Sequence, residues 1–181
     1  MQQIHDFVKQ KCEGYADDDI LSNHILGVRD LAVTLAKHYN ADIEVVSIAA
    51  YLHDISLIMN HDNTDHEIKG AEFAREYLKQ FNFSEEKIDL ICKCIKHHRG
   101  SKDYKRETME EQIVACADAM DHMARIDQMF YRVSNKFEYE KAHEWIVSKL
   151  KRGYKKVNLE KAREMIQDKY DASLKFFNAE D

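Results

Sequence analysis

The chain has 181 residues, 44% of them hydrophobic and 33% charged, so it is long enough to bury its own core and too apolar for a disordered tail. Its formal net charge of −6 argues against a surface that follows the phosphates of a nucleic acid polymer, although a local basic patch can still hold a small anion. It contains no proline and only five glycines, which removes the usual helix interruptions and tight β-turns. The composition therefore predicts an all-α fold.

The cysteines and the first residues bear on where the protein works. None of the four cysteines forms a C-x-x-C pair, so they are expected to be reduced thiols rather than ligands of structural zinc. The opening residues lack the basic and apolar regions of a secretory signal, and no later window is expected to stay apolar long enough to span a bilayer. These features predict a cytoplasmic protein without a membrane segment.

The first two predicted helices lie before residue 40. Apolar positions from Ile4 to Cys12 predict a short helix that ends near Gly14. The run Asp17-Asp18-Asp19 supplies an N-cap and a negative first turn for a long helix, in which apolar residues recur at spacings of three and four. His24 lies on that apolar stripe.

Asp42 caps the next predicted helix, whose apolar run leads directly into His53 and Asp54. Residues 59–65 have little apolar content and predict a loop. His66 follows at the start of another helix. Residues 82–84, which include Ser84, end that helix and cap a further amphipathic helix. The latter ends at the pair His97-His98, and residues 100–107 predict a polar, basic loop.

Thr108 and Glu111 have the spacing of a capping box and open a long helix through about Val133, with Asp118 inside it. Two more helices follow, separated by a stop at Gly153. The pattern predicts one helical domain over residues 1–181. Its motif-bearing core spans about residues 17–133, and the C-terminal helices within 138–178 pack on that core.

His53 and Asp54 form the pair that helical packing explains least. Successive residues on an α-helix point about 100° apart, so one apolar stripe cannot bury both. A cation held at the helix end would satisfy both side chains. In the alternative interpretation the helix simply ends, with Asp54 in water and His53 hydrogen-bonded in the core, and the pair taken alone favours this alternative.

Asp118 carries more information than His24, which by itself suits a core histidine. Small or apolar neighbours on both sides of Asp118 indicate that its carboxylate is partly buried. A buried carboxylate needs a salt bridge, hydrogen bonds or a cation. A salt bridge to Arg125 or to a lysine elsewhere in the chain and metal binding are about equally well supported.

His66, His97 and His98 add three imidazoles. A neutral imidazole can bind a second cation, and a protonated one can donate to a phosphate oxygen or protonate a leaving alkoxide. Each taken alone is more typical of a surface histidine. Arg99 and Lys102 in the following loop can hold phosphate, although a solvated basic loop is the commoner explanation. The second basic run, residues 149–156, suits a helix C-terminus and is assigned no function.

The ordered set His24, His53-Asp54 and Asp118 resembles the H…HD…D signature of the HD-domain metal-dependent phosphohydrolases. The resemblance runs from about residue 23 to residue 125. It implies an all-helical core in which these four side chains converge on one divalent metal, which can be Mn, Mg, Co, Fe, Ni or Zn. The histidines that resemble second-metal ligands of some relatives are His66, His97 and His98.

The resemblance implies hydrolysis of a phosphoester or phosphoanhydride bond in a small phosphorylated substrate, most readily a nucleotide, by a metal-activated water. Asp54, His66 and His97 are the implied catalytic residues, and Arg99 and Lys102 the residues that bind substrate. The chain lacks the lysine that many two-metal relatives carry just after the doublet. It also lacks the Gly-Tyr-Pro extension of the cyclic-dinucleotide phosphodiesterases.

Two other classes of protein remain open. One is a metal- or nucleotide-binding module that does not catalyse and acts as a sensor or partner protein. The other is a helical interaction protein whose histidines are structural, which predicts that neither EDTA nor Mn²⁺ changes its melting temperature. The sequence leaves open whether the protein is a homodimer.

Overall fold

The computed structural model describes residues 1–13, 15 and 20–179, and these residues form helices without a strand, as the composition predicts. A π-helical segment, Leu21–Ile25, runs directly into α2. The predicted helix end at Gly14 and the predicted cap at Asp17–Asp19 lie outside the described residues. The helices are α1 (Gln2–Cys12), α2 (Leu26–Tyr39), α3 (Ile43–Leu52), α4 (Ile55–Asn60), α5 (His66–Leu78), α6 (Glu85–His97), α7 (Met109–Ala124), α8 (Ile126–Ser134), α9 (Tyr139–Lys156) and α10 (Glu160–Phe176).

Side-chain caps begin three of these helices where the sequence predicts them. The carboxylate of Asp42 accepts hydrogen bonds from two backbone N–H groups in the first turn of α3. Ser84 caps α6 in the same way. Thr108 and Glu111 form the complete capping box of α7, each side chain accepting from the backbone of the other. Capping chemistry is local, which explains why these helix starts are confirmed.

Helix ends that depend on packing differ from the predictions. The predicted loop begins two residues too early, because α4 continues to Asn60. The predicted long helix breaks at Arg125, whose φ of −113° and ψ of 31° end α7, and α8 then packs on α9. The predicted stop at Gly153 is wrong. Gly153 is inside α9, where one helical glycine costs only about 1 kcal/mol, and the turn beyond it brings Lys156 to Asp118.

Helix α7 is the centre of the bundle. It packs against α2, α3, α6, α9 and α10, and nearly every residue from Ile113 to Met123 is buried. Helices α2 and α3 also pack on each other, and α5 packs on α6 and α4. The α3–α4 turn, the start of α5, the end of α6 and the π-helical segment consequently all approach the middle of α7.

One stretch, Ile43–Asn60, is long and apolar enough to cross a membrane, contrary to the expectation that no such window exists. It is interrupted at the α3–α4 turn, and 72% of it is buried inside the bundle. Burial of this kind is typical of a core helix rather than of a membrane span.

Candidate metal centre

His53 and Asp54 lie in the turn that separates α3 from α4. Helix α3 ends at Leu52, and the backbone of Asp54 leaves the helical region with φ of −105° and ψ of 13°. His53 is fully buried and Asp54 is only 8% exposed. The interpretation that placed Asp54 in water is therefore wrong, and the burial of both side chains requires a polar partner for each.

A first cluster of four side chains surrounds Nε2 of His24. This atom lies 3.1 Å from Nε2 of His53, 3.6 Å from Oδ2 of Asp54 and 3.6 Å from Oδ1 of Asp118. The four residues come from the π-helical segment, the α3–α4 turn and the middle of α7. The structure thus brings together all four residues of the H…HD…D pattern.

A second cluster shares Asp54 with the first. Oδ1 of Asp54 lies 3.2 Å from Nε2 of His66 and 3.6 Å from Nε2 of His98, and these two nitrogens are 3.3 Å apart. All three side chains are buried. One carboxylate oxygen of Asp54 therefore faces each pair of histidines, the arrangement of a carboxylate that bridges two cations.

The Nδ1 atoms identify the tautomer of the four clustered histidines. Each Nδ1 lies beside an oxygen that can only accept, so each Nδ1 carries a proton, and in the neutral imidazole Nε2 presents a lone pair. Two facing lone pairs repel each other unless a proton or a metal cation lies between them. The acceptors are the backbone oxygens of Ala50 for His53 (2.7 Å), Asn63 for His66 (3.2 Å) and Ile95 for His98 (2.6 Å), and Oδ2 of Asp121 for His24 (2.8 Å).

The donor set fits a divalent cation. The ligand atoms lie within 4.8 Å of one another in each of three overlapping groups, which are His24, His53 and Asp54; Asp54, His66 and His98; and His24, Asp118 and His122. Ligands about 2.1 Å from a common cation and at right angles to each other are about 3 Å apart, which is close to the distances seen. Imidazole nitrogen with carboxylate oxygen and no thiolate suits Mn²⁺, Fe²⁺, Co²⁺, Ni²⁺ or Zn²⁺.

The charges in the two clusters compensate one another. Burial alone would raise the pKa of Asp54, but the charge of His53 and hydrogen bonds from His24 and His66 hold it well below its ordinary range. Burial would likewise lower the pKa of His24, but Asp121 and Asp54 raise it to about 10. Burial and His53 lower the pKa of His98 to about 3. A proton on His24 thus supplies positive charge that a metal cation can replace.

A cavity of about 630 Å³ opens onto both clusters. Trp145, Lys149, Arg152 and Lys156 line one wall, and their spacing of four, three and four residues places them on one face of α9. Helix α8 adds an apolar surface and a further cation to the lining. The second basic run, which the sequence leaves without a function, therefore faces the candidate site, and its helical spacing is the signal that could have shown it.

Lys156 and His122 join the cavity floor at Asp118. Nζ of Lys156 lies 2.8 Å from Oδ2 of Asp118, and Nε2 of His122 lies 3.3 Å from Oδ1. The ring of His122 stacks on His24 with 4.7 Å between centroids. Of the two predicted salt-bridge partners of Asp118, Arg125 or a lysine elsewhere, the structure shows a lysine, Lys156, while Arg125 binds Asp121.

His97 and Lys102 lie apart from the clusters. Nδ1 of His97 contacts Glu111 at 2.5 Å, and its ring stacks on Tyr104, so the structure does not bring His97 to either cluster. His98 points inward because it continues the buried stripe of α6, whereas the side chain of His97 points about 100° away from that stripe. Lys102 pairs with Asp65 at 3.5 Å and does not line the cavity.

Arg99 is the other predicted substrate-binding residue, and it does line the cavity. Its Nη1 donates to the fully buried carboxylate of Glu67 at 2.7 Å, and the hydroxyl of Tyr104 donates to the same carboxylate at 3.1 Å. Burial would raise the pKa of Glu67, but the hydrogen bond from Arg99 lowers it. Glu67 therefore positions Arg99 at the cavity edge.

The protein is thus a helical bundle whose buried imidazoles and carboxylates could hold a metal ion. The sequence model of the HD domain matches residues 21–123, more than half of the chain. The chain belongs to the HD-domain family.

Two named proteins are similar to part of this chain in sequence. A tRNA (cytidine(56)-2'-O)-methyltransferase of Picrophilus torridus is 32% identical over 136 residues, and the match covers 66% of this chain and 37% of that protein. A second methyltransferase of the same name is matched over 32% of its length, so the chain spans about a third of these curated relatives.

Two solved structures share the fold. A predicted HD superfamily hydrolase from an uncultured Thermotogales bacterium matches with a TM-score of 0.71 and 23% identity, covering 98% of this chain and 89% of that one. Bacillus subtilis YpgQ in complex with ADP matches with a TM-score of 0.72 and 24% identity, covering 98% and 93%. At these identities the likeness establishes the fold.

Proposed function

We propose that the chain is a metal-dependent phosphohydrolase that cleaves a phosphoester or phosphoanhydride bond in a small phosphorylated substrate, with a nucleotide as the favoured class. The observation that carries the proposal is one cavity with two kinds of lining. Its floor holds two clusters of metal-binding side chains that share Asp54, and its α9 wall holds cations suited to phosphate.

The residues of the cavity have two roles, because the histidines and aspartates would bind cations and the lysines and arginines would bind phosphate. His24, His53, Asp54 and Asp118 would hold one cation, and Asp54, His66 and His98 a second. When bound, such cations polarise a phosphoryl oxygen and lower the pKa of a water molecule. His66 serves as a ligand rather than as an acid, because its Nε2 faces Asp54 and His98 and its Nδ1 donates to a carbonyl.

Lysine and arginine side chains would orient the phosphate and balance its charge. Burial lowers the pKa of Lys149, and the described residues offer it no hydrogen-bond or ion-pair partner. Lys149 is partly exposed to the cavity, where an anionic ligand oxygen would stabilise its charge. Arg99 and Lys156 lie on the same cavity and would contact the remaining oxygens.

The apolar part of the cavity supports a nucleotide. Trp145, Met129 and Ile126 line it beside the cationic side chains, which suits a flat ring attached to phosphate. Bacillus subtilis YpgQ, which shares the fold, was solved in complex with ADP. Both observations favour a nucleoside phosphate over a phosphorylated sugar.

A metal-reconstitution assay tests the proposal. The protein is stripped with a chelator, reloaded with Mn²⁺, Co²⁺ or Mg²⁺, and tested on a panel of nucleotides and phosphomonoesters, with bound metal measured by elemental analysis. We expect turnover only with metal, and loss of both metal and turnover in Asp54→Ala. Unchanged metal content and activity in Asp54→Ala would refute the proposal.

Substitution in α9 tests the substrate wall. Lys149→Gln should raise KM about tenfold or more, because a charge-assisted hydrogen bond contributes about 1.5–3 kcal/mol. Lys155→Gln is the matched control, since Lys155 is an exposed residue of the same helix that does not line the cavity. Equal KM values in the two variants would exclude Lys149 from substrate binding.

A module that binds without catalysis is the second candidate. The match to the methyltransferase of Picrophilus torridus covers 37% of that protein, which favours an HD domain that can accompany another activity. The same panel separates the two functions. Nucleotide binding without turnover at any metal tested would favour the binding module.

A further inference from the structure

Asp121 lies behind the metal centre and contacts none of the cavity. It is 3% exposed and sits one helical turn after Asp118 on α7. Oδ2 accepts a hydrogen bond from Nδ1 of His24 at 2.8 Å, and Oδ1 accepts one from Nε of Arg125 at 3.2 Å. Both oxygens of this buried carboxylate are therefore held in place.

His24 differs from the other clustered histidines in its Nδ1 partner. His53, His66 and His98 each donate to the backbone carbonyl three residues earlier. All three lie at a helix boundary, where carbonyls of the helix end or of the adjoining turn lack a helical hydrogen-bond partner. His24 lies inside the helical stretch that runs from the π-helical segment into α2, where carbonyls accept helical hydrogen bonds. It needs an acceptor from another helix, and Asp121 supplies a charged one.

Gly27 leaves the space that the Asp121 carboxylate occupies. A Cβ atom at residue 27 would overlap Oδ1 of Asp121, and it would lie 3.0 Å from Cγ of Asp121 and 3.2 Å from Nη2 of Arg125. The carboxylate cannot move aside without breaking its bonds to His24 and Arg125. A glycine in a helix destabilises the fold by roughly 0.5–1 kcal/mol relative to alanine. At residue 27 this loss of stability is offset by the room that it leaves for the Asp121 carboxylate.

We propose that Asp121 is a positioning residue of the metal centre and that Gly27 makes its position possible, an inference that rests on the proposed function. Asp121 keeps the proton of His24 on Nδ1 and directs the Nε2 lone pair toward His53 and Asp118. Its negative charge also makes the imidazole a stronger ligand. Loss of such an outer carboxylate typically weakens metal binding by about 10- to 100-fold.

A purely structural role for Asp121 would be to join α7 to α2. That role predicts lower stability but an unchanged affinity of the folded protein for metal. The positioning role predicts a graded affinity. Asp121→Asn keeps an acceptor oxygen without the charge and should bind Mn²⁺ about 10-fold more weakly, whereas Asp121→Ala should bind it up to about 100-fold more weakly.

A double-mutant cycle separates the two roles. Gly27→Ala should weaken Mn²⁺ binding to a similar degree as Asp121→Ala, because it displaces the carboxylate. In the Asp121→Ala background the same glycine substitution should have no further effect, since the clashing oxygens are gone. Gly153→Ala is the control for a glycine in a helix, because the nearest atom to its Cβ is Cγ of Met123 at 3.9 Å.

The measurement is Mn²⁺ affinity of each variant by competition with a chelator, with circular dichroism to verify folding. In the Zn²⁺-loaded protein, nitrogen NMR should show a slowly exchanging Nδ1 proton on His24 that Asp121→Ala loses. The inference would be overturned if the Mn²⁺ affinity of Asp121→Ala were within twofold of wild type. It would also be overturned if the losses of affinity from Gly27→Ala and Asp121→Ala multiplied in the double variant. Either result would leave the proposed function intact. If Gly27→Ala does not fold, the ratio of the Mn²⁺ affinities of Asp121→Asn and wild type decides between the positioning role and the structural role. Wild-type protein that binds no divalent cation would overturn both.

Discussion

Chelation should lower the melting temperature of the protein substantially. The two clusters bring four imidazole lone pairs and two carboxylates into a buried volume, and Asp54 and Asp118 are each less than a tenth exposed. A cation that binds only the folded chain stabilises it by about 4.1 kcal/mol at a free concentration 1,000 times its Kd. In a chain of this size about 1 kcal/mol corresponds to roughly 2–4 °C, so EDTA should lower Tm by about 8–16 °C.

Substitutions then show which carboxylate serves which cluster. In Asp54→Asn the stabilisation by Mn²⁺ should disappear, because one oxygen of Asp54 faces each pair of histidines. In Asp118→Asn part of it should remain, because Asp118 belongs to the first cluster alone. Asp89→Asn is the control, since Asp89 forms an exposed pair with Arg75 at 2.6 Å.

Differential scanning calorimetry with Mn²⁺ and with EDTA provides the comparison. The reasoning would be refuted by a wild-type Tm that moves by less than about 2 °C, the behaviour of a protein whose histidines are structural. It would also fail if Asp54→Asn kept the full shift. Equal residual shifts in Asp54→Asn and Asp118→Asn would contradict only the sharing of Asp54.

Three further predictions concern the support of the site. Glu67→Gln should lower the free energy of unfolding, measured in urea at pH 7, by about 1.5–3 kcal/mol, because it removes the charge that accepts the hydrogen bond from Arg99. Arg99 lowers the pKa of Glu67 in the folded state, so this stability is fully present above the unfolded pKa and is lost as the pH falls through the lower folded pKa. The unfolding free energies of the variant and the wild type should therefore converge in acid. Thr108→Ala should cost about 1 kcal/mol through loss of the capping box, seen as a lower urea midpoint at unchanged slope. Gly153→Ala should raise stability by roughly 0.5–1 kcal/mol, and a lower Tm would show that the space beside Met123 is needed.

The predictable part of the fold is the part that local chemistry determines. Asp42, Ser84 and Thr108 begin helices as predicted because each side chain bonds to backbone groups within three residues. The break at Arg125 and the continuation through Gly153 depend on how α8 and α9 pack together. No local pattern records that packing, so the sequence could not predict it.

The same distinction applies to the candidate site. The order of histidines and aspartates predicts which residues of the H…HD…D pattern meet, and the structure brings them together. The choice between His97 and His98 follows from rotation about α6, and the buried stripe that contains Ile91 and Ile95 already favoured His98, three residues beyond Ile95. The contact of Lys156 with Asp118 could not be predicted, because it depends on an α9 that continues beyond Gly153.

A helix boundary is a suitable place for a metal-binding histidine, and this explains why the doublet occurs where it does. The last carbonyls of a helix lack partners within the helix, and the Nδ1 proton of a histidine just beyond can bind one of them. His53 does so at the end of α3 and His98 at the end of α6, and each then presents Nε2 away from its own helix. The residue after His53 leaves helical geometry, which turns Asp54 toward the same point. His24 lacks such a boundary, which is why its orientation depends on Asp121.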